Sequence, residues 1–377
     1  MSSIFEFCDE LGPEKIIHVY EPSVNLKAIL VIDNVAKGPA IGGMRMAEDV
    51  SVEECVRLAR AMTFKNAAAG LPHGGGKIVI YGDPKMPKPQ KAQILRALCN
   101  NLRNVDDYIF APDMGTDEEC MAWIRDEVGR VVGLPREIGG IPLDEIGATG
   151  FGLAQATEVA TQFMNMDLKG ARVVVQGFGA VGKNATRFLI EKGAKIVAVA
   201  DSRGAIENQD GLDLQGLLEL KSHGKCVDEY SDGTSMASDD VIGVDCEIWI
   251  PAARPDVIHE DNVDQIRAKI IVEGANIPAT HEAERMLHER GVLVVPDFIA
   301  NAGGVICAAM EYHGSSESAA MQTIAEKVRR NTEQVLNTAK EENILPREAA
   351  MALASKRVRK AMSFRRFSLF STAPGFV

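Results

Sequence analysis

At 377 residues, 46% hydrophobic and 25% charged, the chain is long enough for two domains or slightly more, and its composition excludes disordered and fibrous classes. A formal net charge of -12 disfavours a nucleic-acid surface and means that an anionic ligand must be held by local groups. No apolar run approaches the roughly 18 residues of a membrane span, MSSIFEFCDE lacks a secretory pattern, and seven cysteines include no CxxC pair, so the expectation is a cytoplasmic protein with reduced thiols and no metal site.

In chain order, the first strand-like segment is KAILVID, residues 27–33. Ser51 and Glu54 then have capping-box spacing, and Val52, Val56, Ala59 and Met62 follow at helical intervals. They predict a helix from Val52 to about Ala68, stopped by Gly70 and Pro72. A helical wheel sets Lys65 at the margin of the apolar stripe, with Glu53, Glu54, Arg57 and Arg60 toward the opposite face. Gly74, Gly75 and Gly76 leave bare backbone before Lys77, which opens the strand-like IVIY. Two lysines this close suggest an anionic or reactive group between them; alternatively, Lys65 snorkels and Lys77 opens a surface strand. A helix from about Pro89 to Asn104 and the strand-like DYIFAP come next. Thr116 and Glu119 repeat the capping spacing, so Asp113 falls in a strand-to-helix loop, either as a functional residue or in an Asx turn.

A glycine-rich linker leads to a helix that begins near Thr149. Residues 172–176 then read as a buried parallel strand, and Gly177, Gly179 and Gly182 form G-x-G-x-x-G before an amphipathic helix. A second strand, 195–200, ends at Asp201, 19 residues after Gly182. Backbone from Gly177 through Phe178, Gly179, Ala180 and Val181 to Gly182 would meet a pyrophosphate, and Asp201 would accept hydrogen bonds from an adenosine ribose. Asp201 favours NAD over NADP, although Ser202 and the guanidinium of Arg203 leave NADP open. Three more apolar segments, within 244–253, 269–276 and 291–305, end in small or amide residues. Asn276 and Asn301 are candidates for the nicotinamide side or for hinges, or else are turn asparagines. Cys307 reads as a small buried hydrophobe. Helices run from there to about Arg359 with a break at Pro346, and the terminal SLFSTAPGFV looks frayed. The pattern predicts an α/β protein with an N-terminal domain over 1–142, a Rossmann-type dinucleotide-binding domain over 143–330, and C-terminal helices over 331–377 that return to the first domain, with a cleft between the two domains.

The motifs GPAIGGMRM, MTFKNAAAGLPHGGGK, APDMGT, ATG at 148–150, QGFGAVG, EGAN and NAGGV, in that order and spanning nearly the whole chain, resemble the glutamate, leucine, phenylalanine and valine dehydrogenases. The resemblance implies NAD(P)-dependent, reversible oxidative deamination of an amino acid to its 2-oxo acid and ammonia, by a homo-oligomer, commonly a hexamer or octamer. It implies that the first domain binds substrate and oligomerises. Lys65 would bind the α-carboxylate, Lys77 would be the catalytic lysine, Asp113 would relay protons, and Thr149 would lie by substrate and nicotinamide. In the glutamate enzymes, a lysine within GP-x-K-GG-x-R and a serine after NAGG hold the side-chain carboxylate. Here Ile41, beside Gly42, takes the lysine position and Ala308 the serine position, with Val305 on the same helical face. A γ-carboxylate against these three would be unpaired at a cost of at least several kcal/mol. An apolar side chain would gain roughly 1.5 to 3 kcal/mol by burial. The expected substrate is therefore an apolar L-amino acid of the leucine, valine, isoleucine or phenylalanine type. Glutamate is the alternative, because ADSRGAIENQDGLDLQGLLELK and EGAN look more like the glutamate enzymes. A non-catalytic binding protein of the same fold is a third, more distant reading.

Overall fold

The computed structural model describes residues 4–364. The SLFSTAPGFV tail therefore lies outside the described residues. The elements, in order, are β1 (Lys15–Glu21), β2 (Leu26–Asn34), β3 (Ala40–Ala47), α1 (Val52–Ala68), β4 (Gly74–Tyr81), α2 (Lys88–Asn101), β5 (Tyr108–Pro112) and α3 (Glu118–Val128). There follow α4 (Leu143–Ile146), α5 (Ala148–Phe163), β6 (Arg172–Gln176), α6 (Ala180–Glu191), β7 (Lys195–Ala200), β8 (Ala205–Glu207), α7 (Leu214–Ser222), β9 (Thr234–Met236), β10 (Ile248–Pro251) and β11 (Ile270–Val272). The chain ends with α8 (His281–Glu289), β12 (Leu293–Val295), α9 (Asp297–Ala300), α10 (Gly303–Tyr312), α11 (Glu317–Glu342) and α12 (Pro346–Met362). Among the described residues, no helix is long and apolar enough to cross a membrane.

The chain forms two compact units. The first holds the residues up to Pro142, Val305–Ala320, and the chain from Ala352 on; the second holds Leu143–Gly304 and Met321–Met351. The sequence pattern suggested a single return after residue 330. Instead the chain changes unit within α10, α11 and α12. The cause is local: Glu311 of α10 and His313 just after it bind the first unit, and the left-handed Gly314 (φ +70°) turns the chain between α10 and α11.

In the first unit the sheet order is β1-β2-β4-β3-β5, antiparallel across β1, β2 and β4 and parallel across β4, β3 and β5. One face buries Met44, Met46, Ile78, Ile80, Tyr108 and Phe110 against Leu95 and Leu98 of α2 and Met121 and Ile124 of α3. The other face lies under α1, where Ile29, Val31 and Val79 meet Cys55 and Ala59. Helix α1 is capped as expected, the Ser51 hydroxyl accepting the Glu54 N–H at 3.1 Å. Its buried stripe is not the expected one, however. Cys55, Ala59, Thr63 and Asn66 face inward, because α1 rests on glycines with no room for a large side chain. A Cβ on Gly75 would lie 2.0 Å from the Thr63 nitrogen. Asn66 Nδ2 donates to Gly74 O at 2.7 Å. Arg60, expected on the outer face, turns back to the fully buried Asp33, donating from Nε to both its oxygens at 2.9 Å, and to Asp9 at 2.7 and 2.8 Å.

The second unit has the order β12-β11-β10-β6-β7-β8-β9, parallel from β12 to β7, with β8 and β9 added antiparallel. Its strands are near-continuous apolar runs, as sheets covered on both faces require. Val173, Val174, Val175, Ile248, Ile250 and Ile271 are fully buried. This is the Rossmann-type arrangement anticipated from the glycine motif.

A contact that the sequence did not foreshadow pins α10 to the first sheet. His73 is 1% exposed, and its Nδ1 lies 3.2 Å from Pro39 O, which can only accept. Nδ1 therefore carries the proton, and Nε2 accepts from the His313 Nε2–H at 3.1 Å. Burial pushes the ring pKa from 6.5 down to about 4, so His73 stays neutral in the folded chain while the unfolded chain takes up a proton. Its contribution is complete above 6.5 and is lost as pH falls toward 4. Denaturant unfolding followed from pH 7 to 4.5 should show about 2–3 kcal/mol of this loss, and His73→Gln should flatten the curve; parallel curves for the two proteins would refute the assignment.

Candidate functional site

The lysine pair sits on the α1 face of the first sheet. Lys77 is 5% exposed, on β4, and its Nζ contacts Asp113 Oδ2. Asp113 directly follows β5, and its Oδ1 accepts the Met114 N–H at 2.6 Å and approaches Arg45 Nη2 at 3.4 Å. Burial alone would raise the Asp113 pKa. The Lys77 ammonium, the Met114 N–H and Arg45 more than offset that and hold it below the ordinary 3.8. The Thr116 hydroxyl fixes the turn, accepting the Asp113 N–H at 3.0 Å and donating to Met44 O at 2.8 Å. Thr116 is therefore not the helix cap its spacing suggested; Asp117 is, its carboxylate accepting the Cys120 N–H at 2.9 Å.

Lys65 occupies the last turn of α1, half-buried, between the Thr63 and Asn66 contacts to Gly75 and Gly74. The sequence reading put a second cation beside Lys77. The group found against its Nζ is the Asp113 carboxylate. Ile41 pairs with Gly75, two residues before Lys77, so its side chain shares the Lys77 face. It is 1% exposed. The Gly42 carbonyl accepts the Tyr108 hydroxyl at 2.7 Å. Val305, half-buried, and Ala308, buried, lie on α10 in the same unit. Arg45 was missed as a member of this group. Its Nη1 bonds Glu54 at 2.6 Å while Nη2 reaches Asp113, and the arginine of GPAIGGMRM was the available signal. Cys307 is fully buried with its thiol pushed up to about 12, so it is no nucleophile.

The second unit carries the dinucleotide elements. Strand β6 runs into Gly177, Phe178 and Gly179, and α6 starts at Ala180 with no side-chain cap, leaving the first-turn N–H groups of Ala180, Val181 and Gly182 available to a phosphate. A Cβ on Gly179 would meet nothing within 4 Å, which leaves space for a ligand against the backbone. A cavity of about 730 Å³ there is lined by Gly177 and Gly179 together with Lys183, Asp201, Ser202, Lys221, Ser238 and Arg254. Asp201 ends β7 as expected, but its carboxylate does not face open space. It accepts from Lys221 Nζ at 2.7 Å, from Val227 N at 3.1 Å and from Arg203 N at 3.0 Å. Burial, which would raise its pKa, is outweighed by these donors, and the pKa is lowered. Ser202 and Arg203 are exposed, and Arg203 Nη2 bonds Gly224 O.

The two asparagines meet. Asn301 Nδ2 donates to Gly274 O at 3.2 Å and to Asn276 Oδ1 at 3.1 Å. Asn301 is 4% exposed, and its Oδ1 has no hydrogen-bond partner. The carbonyl acceptor fixes which end is nitrogen. The orphaned oxygen thus offers an acceptor suited to an amide N–H such as that of a nicotinamide. Thr149, in the first turn of α5, borders the same motif, since a Cβ on Gly303 would strike Ala148 O at 2.0 Å.

Comparison with known proteins agrees with these features. The Glutamate/Leucine/Phenylalanine/Valine dehydrogenase family matches residues 139–366, and the Glu/Leu/Phe/Val dehydrogenase dimerisation domain matches residues 13–130. A glutamate dehydrogenase of Aeropyrum pernix is 39% identical over 88% of this chain and 85% of its own length. An NADP-specific glutamate dehydrogenase of Saccharolobus shibatae is 36% identical over 88% and 83%. Among solved structures, a hetero-hexameric glutamate dehydrogenase of Thermus thermophilus in a leucine-bound form is similar with a TM-score of 0.84 and 30% identity, covering 95% of this chain and 91% of that one. The L-tryptophan dehydrogenase of Nostoc punctiforme gives 0.76 and 25%, covering 96% and 100%. The two units, with the Lys77–Asp113 pair in one and the glycine turn in the other, are those of a member of the Glu/Leu/Phe/Val dehydrogenase family, an NAD(P)-dependent oxidoreductase acting on the CH–NH2 group of an amino acid.

Proposed function

We propose that the chain catalyses the reversible oxidative deamination of an apolar L-amino acid of the leucine, valine, isoleucine or phenylalanine type. The observation that carries this reading is Ile41, a fully buried aliphatic side chain on the sheet face of Lys77, which offers a γ-carboxylate no hydrogen-bond donor of its own. Ala308, buried on α10, supports it. The curated relatives, named glutamate dehydrogenases at 36 and 39% identity, favour glutamate as the second reading.

Lys65 would bind the substrate α-carboxylate. Asn301 Oδ1 and Thr149 would hold a nicotinamide, which would supply the hydride acceptor for Cα. Water then attacks the resulting iminium carbon, and Lys77 Nζ takes the proton that this water releases. In the free chain Lys77 Nζ contacts the Asp113 carboxylate. A substrate ammonium would compete for that same carboxylate and free Lys77 Nζ toward the attacking water, while Asp113 passes protons to and from the amine. Lys77→Ala and Asp113→Asn should each lower kcat by about 10²–10⁴-fold with a cooperative melt retained; a variant keeping more than a tenth of wild-type kcat would remove its residue from the mechanism.

Steady-state kcat/KM with leucine, valine, phenylalanine and glutamate decides the substrate. An unpaired buried carboxylate should put glutamate at least about a hundredfold below the best apolar substrate, and Ile41→Lys with Ala308→Ser should narrow that gap. Preference for glutamate in the unmodified chain would defeat the pocket argument.

For the cofactor, NAD remains the primary reading, with NADP accepted. Lys221 neutralises Asp201 and lines the same cavity as Ser202, so repulsion of a 2′-phosphate is weak and a cation stands ready for it. Lys221→Ala should lower kcat/KM for NADP by on the order of tenfold relative to NAD; an unchanged ratio would exclude Lys221 from cofactor choice. The dimerisation-domain match supports assembly into a homo-oligomer.

A further inference from the structure

The segment Glu273-Gly274-Ala275-Asn276-Ile277 ends in a residue that should not be there. Ile277 has φ +49°, the left-handed region, where a β-branched side chain crowds its own backbone. It is also 53% exposed, so burial does not compensate. Unfavourable backbone of this kind persists only where surrounding contacts over-determine it.

Those contacts converge on one guanidinium. The Ile277 N–H donates to Asp297 Oδ2 at 2.9 Å, and Asp297 Oδ1 accepts from Arg347 Nη1 at 2.9 Å. Arg347 Nη2 donates to Glu273 Oε2 at 2.7 Å, which also takes the Asp297 N–H at 2.9 Å. Arg347 Nε meets both oxygens of Glu284 at 2.7 and 2.8 Å. Arg347, from the first turn of α12, thereby ties both ends of the 273–277 segment to the start of α9, and Asn301 bonds its middle at Gly274 and Asn276. Glu273, Glu284 and Asp297 are all buried, and Glu273 Oε1 has no hydrogen-bond partner. Such a charge cluster is poor evidence of stability, because apolar packing could replace it at little cost. Its geometry is better explained by what it holds in place.

We propose that Arg347 is a positioning residue of the reaction, holding the 274–277 turn in its strained form so that the Asn276–Asn301 pair is set for the nicotinamide amide. This rests on the reading of that pair as nicotinamide-side. Lysine, a compact ammonium on a flexible stem, lacks the rigid planar fork that meets the three carboxyls in this geometry.

The test uses the full-length enzyme with NAD and the better of L-leucine and L-glutamate. Arg347→Lys should raise the KM for NAD about tenfold or more while leaving the amino-acid KM, read at saturating NAD, within about twofold. Ile277→Gly removes the strain, so it should raise the thermal midpoint and shrink the Arg347→Lys effect on the NAD KM to about threefold or less in the double variant. Should Arg347→Lys not fold, Asp297→Asn, which leaves one acceptor oxygen for two donors, carries the same expectation. A folded Arg347→Lys or Asp297→Asn with unchanged NAD KM overturns the proposal, as do effects that stay fully additive with Ile277→Gly. Asn276→Ala separates the two layers. If it is silent, the nicotinamide-side reading fails and the clamp with it; if it raises the NAD KM while Arg347→Lys does not, the clamp alone fails.

Discussion

The approach of α1 to the glycine run of β4 is the contact on which the first unit depends. The Thr63 backbone lies where a Gly75 side chain would be, and Asn66 closes on Gly74 O. Helix and strand meet backbone to backbone, so Lys65 leaves the end of one and Lys77 the start of the other within a short stretch of chain. Any side chain at Gly75 would push the helix outward and separate the two lysines. The helix therefore gives up large apolar residues on its inner face and is held instead by the buried Asp33–Arg60–Thr63 contacts. The close approach of α1 to β4 is stabilised by polar bonds rather than by bulk.

Much of this was readable in sequence wherever the cause is local. Ser51 caps α1, glycines mark the phosphate turn, and apolar runs mark the parallel strands, because caps, turns and strand periods are written within a few residues. The errors arose where distant groups compete for a side chain. Arg60 was assigned to the solvent face from its position on the wheel, but Asp33 and Asp9 draw it inward. Thr116 has the spacing of a cap, yet Asp113 and Met44 claim its hydroxyl. Asp201 was correctly located at the end of β7, while Lys221, 20 residues further on, changes what its carboxylate can do. The His73–His313 contact joins residues 240 apart, and no local pattern carries it.

The chain handles its buried charges in two different ways. In the first unit a carboxylate is kept ionised: Asp113, among Lys77, Arg45 and a backbone N–H, stays below its ordinary pKa despite burial. In the second unit burial prevails, and Glu273 and Glu284 are pushed upward even though Arg347 faces them. The difference follows from the count of donors per carboxyl. Asp113 has Lys77, a backbone N–H and part of Arg45, whereas three carboxyls share one guanidinium.

The orphaned oxygen of Asn301 has a thermodynamic consequence for the free chain. A buried acceptor without a donor costs on the order of 1–3 kcal/mol. A ligand amide that donates to it removes the cost, so part of the ligand's affinity is relief of a penalty already present in the protein. Because Asn276, Asn301 and Thr149 come together only in the folded chain, such a ligand binds the native state alone. By mass action it raises the unfolding free energy by about 2.7 kcal/mol at a hundred times its Kd. Through this one oxygen, binding of such a ligand and stability of the fold are coupled.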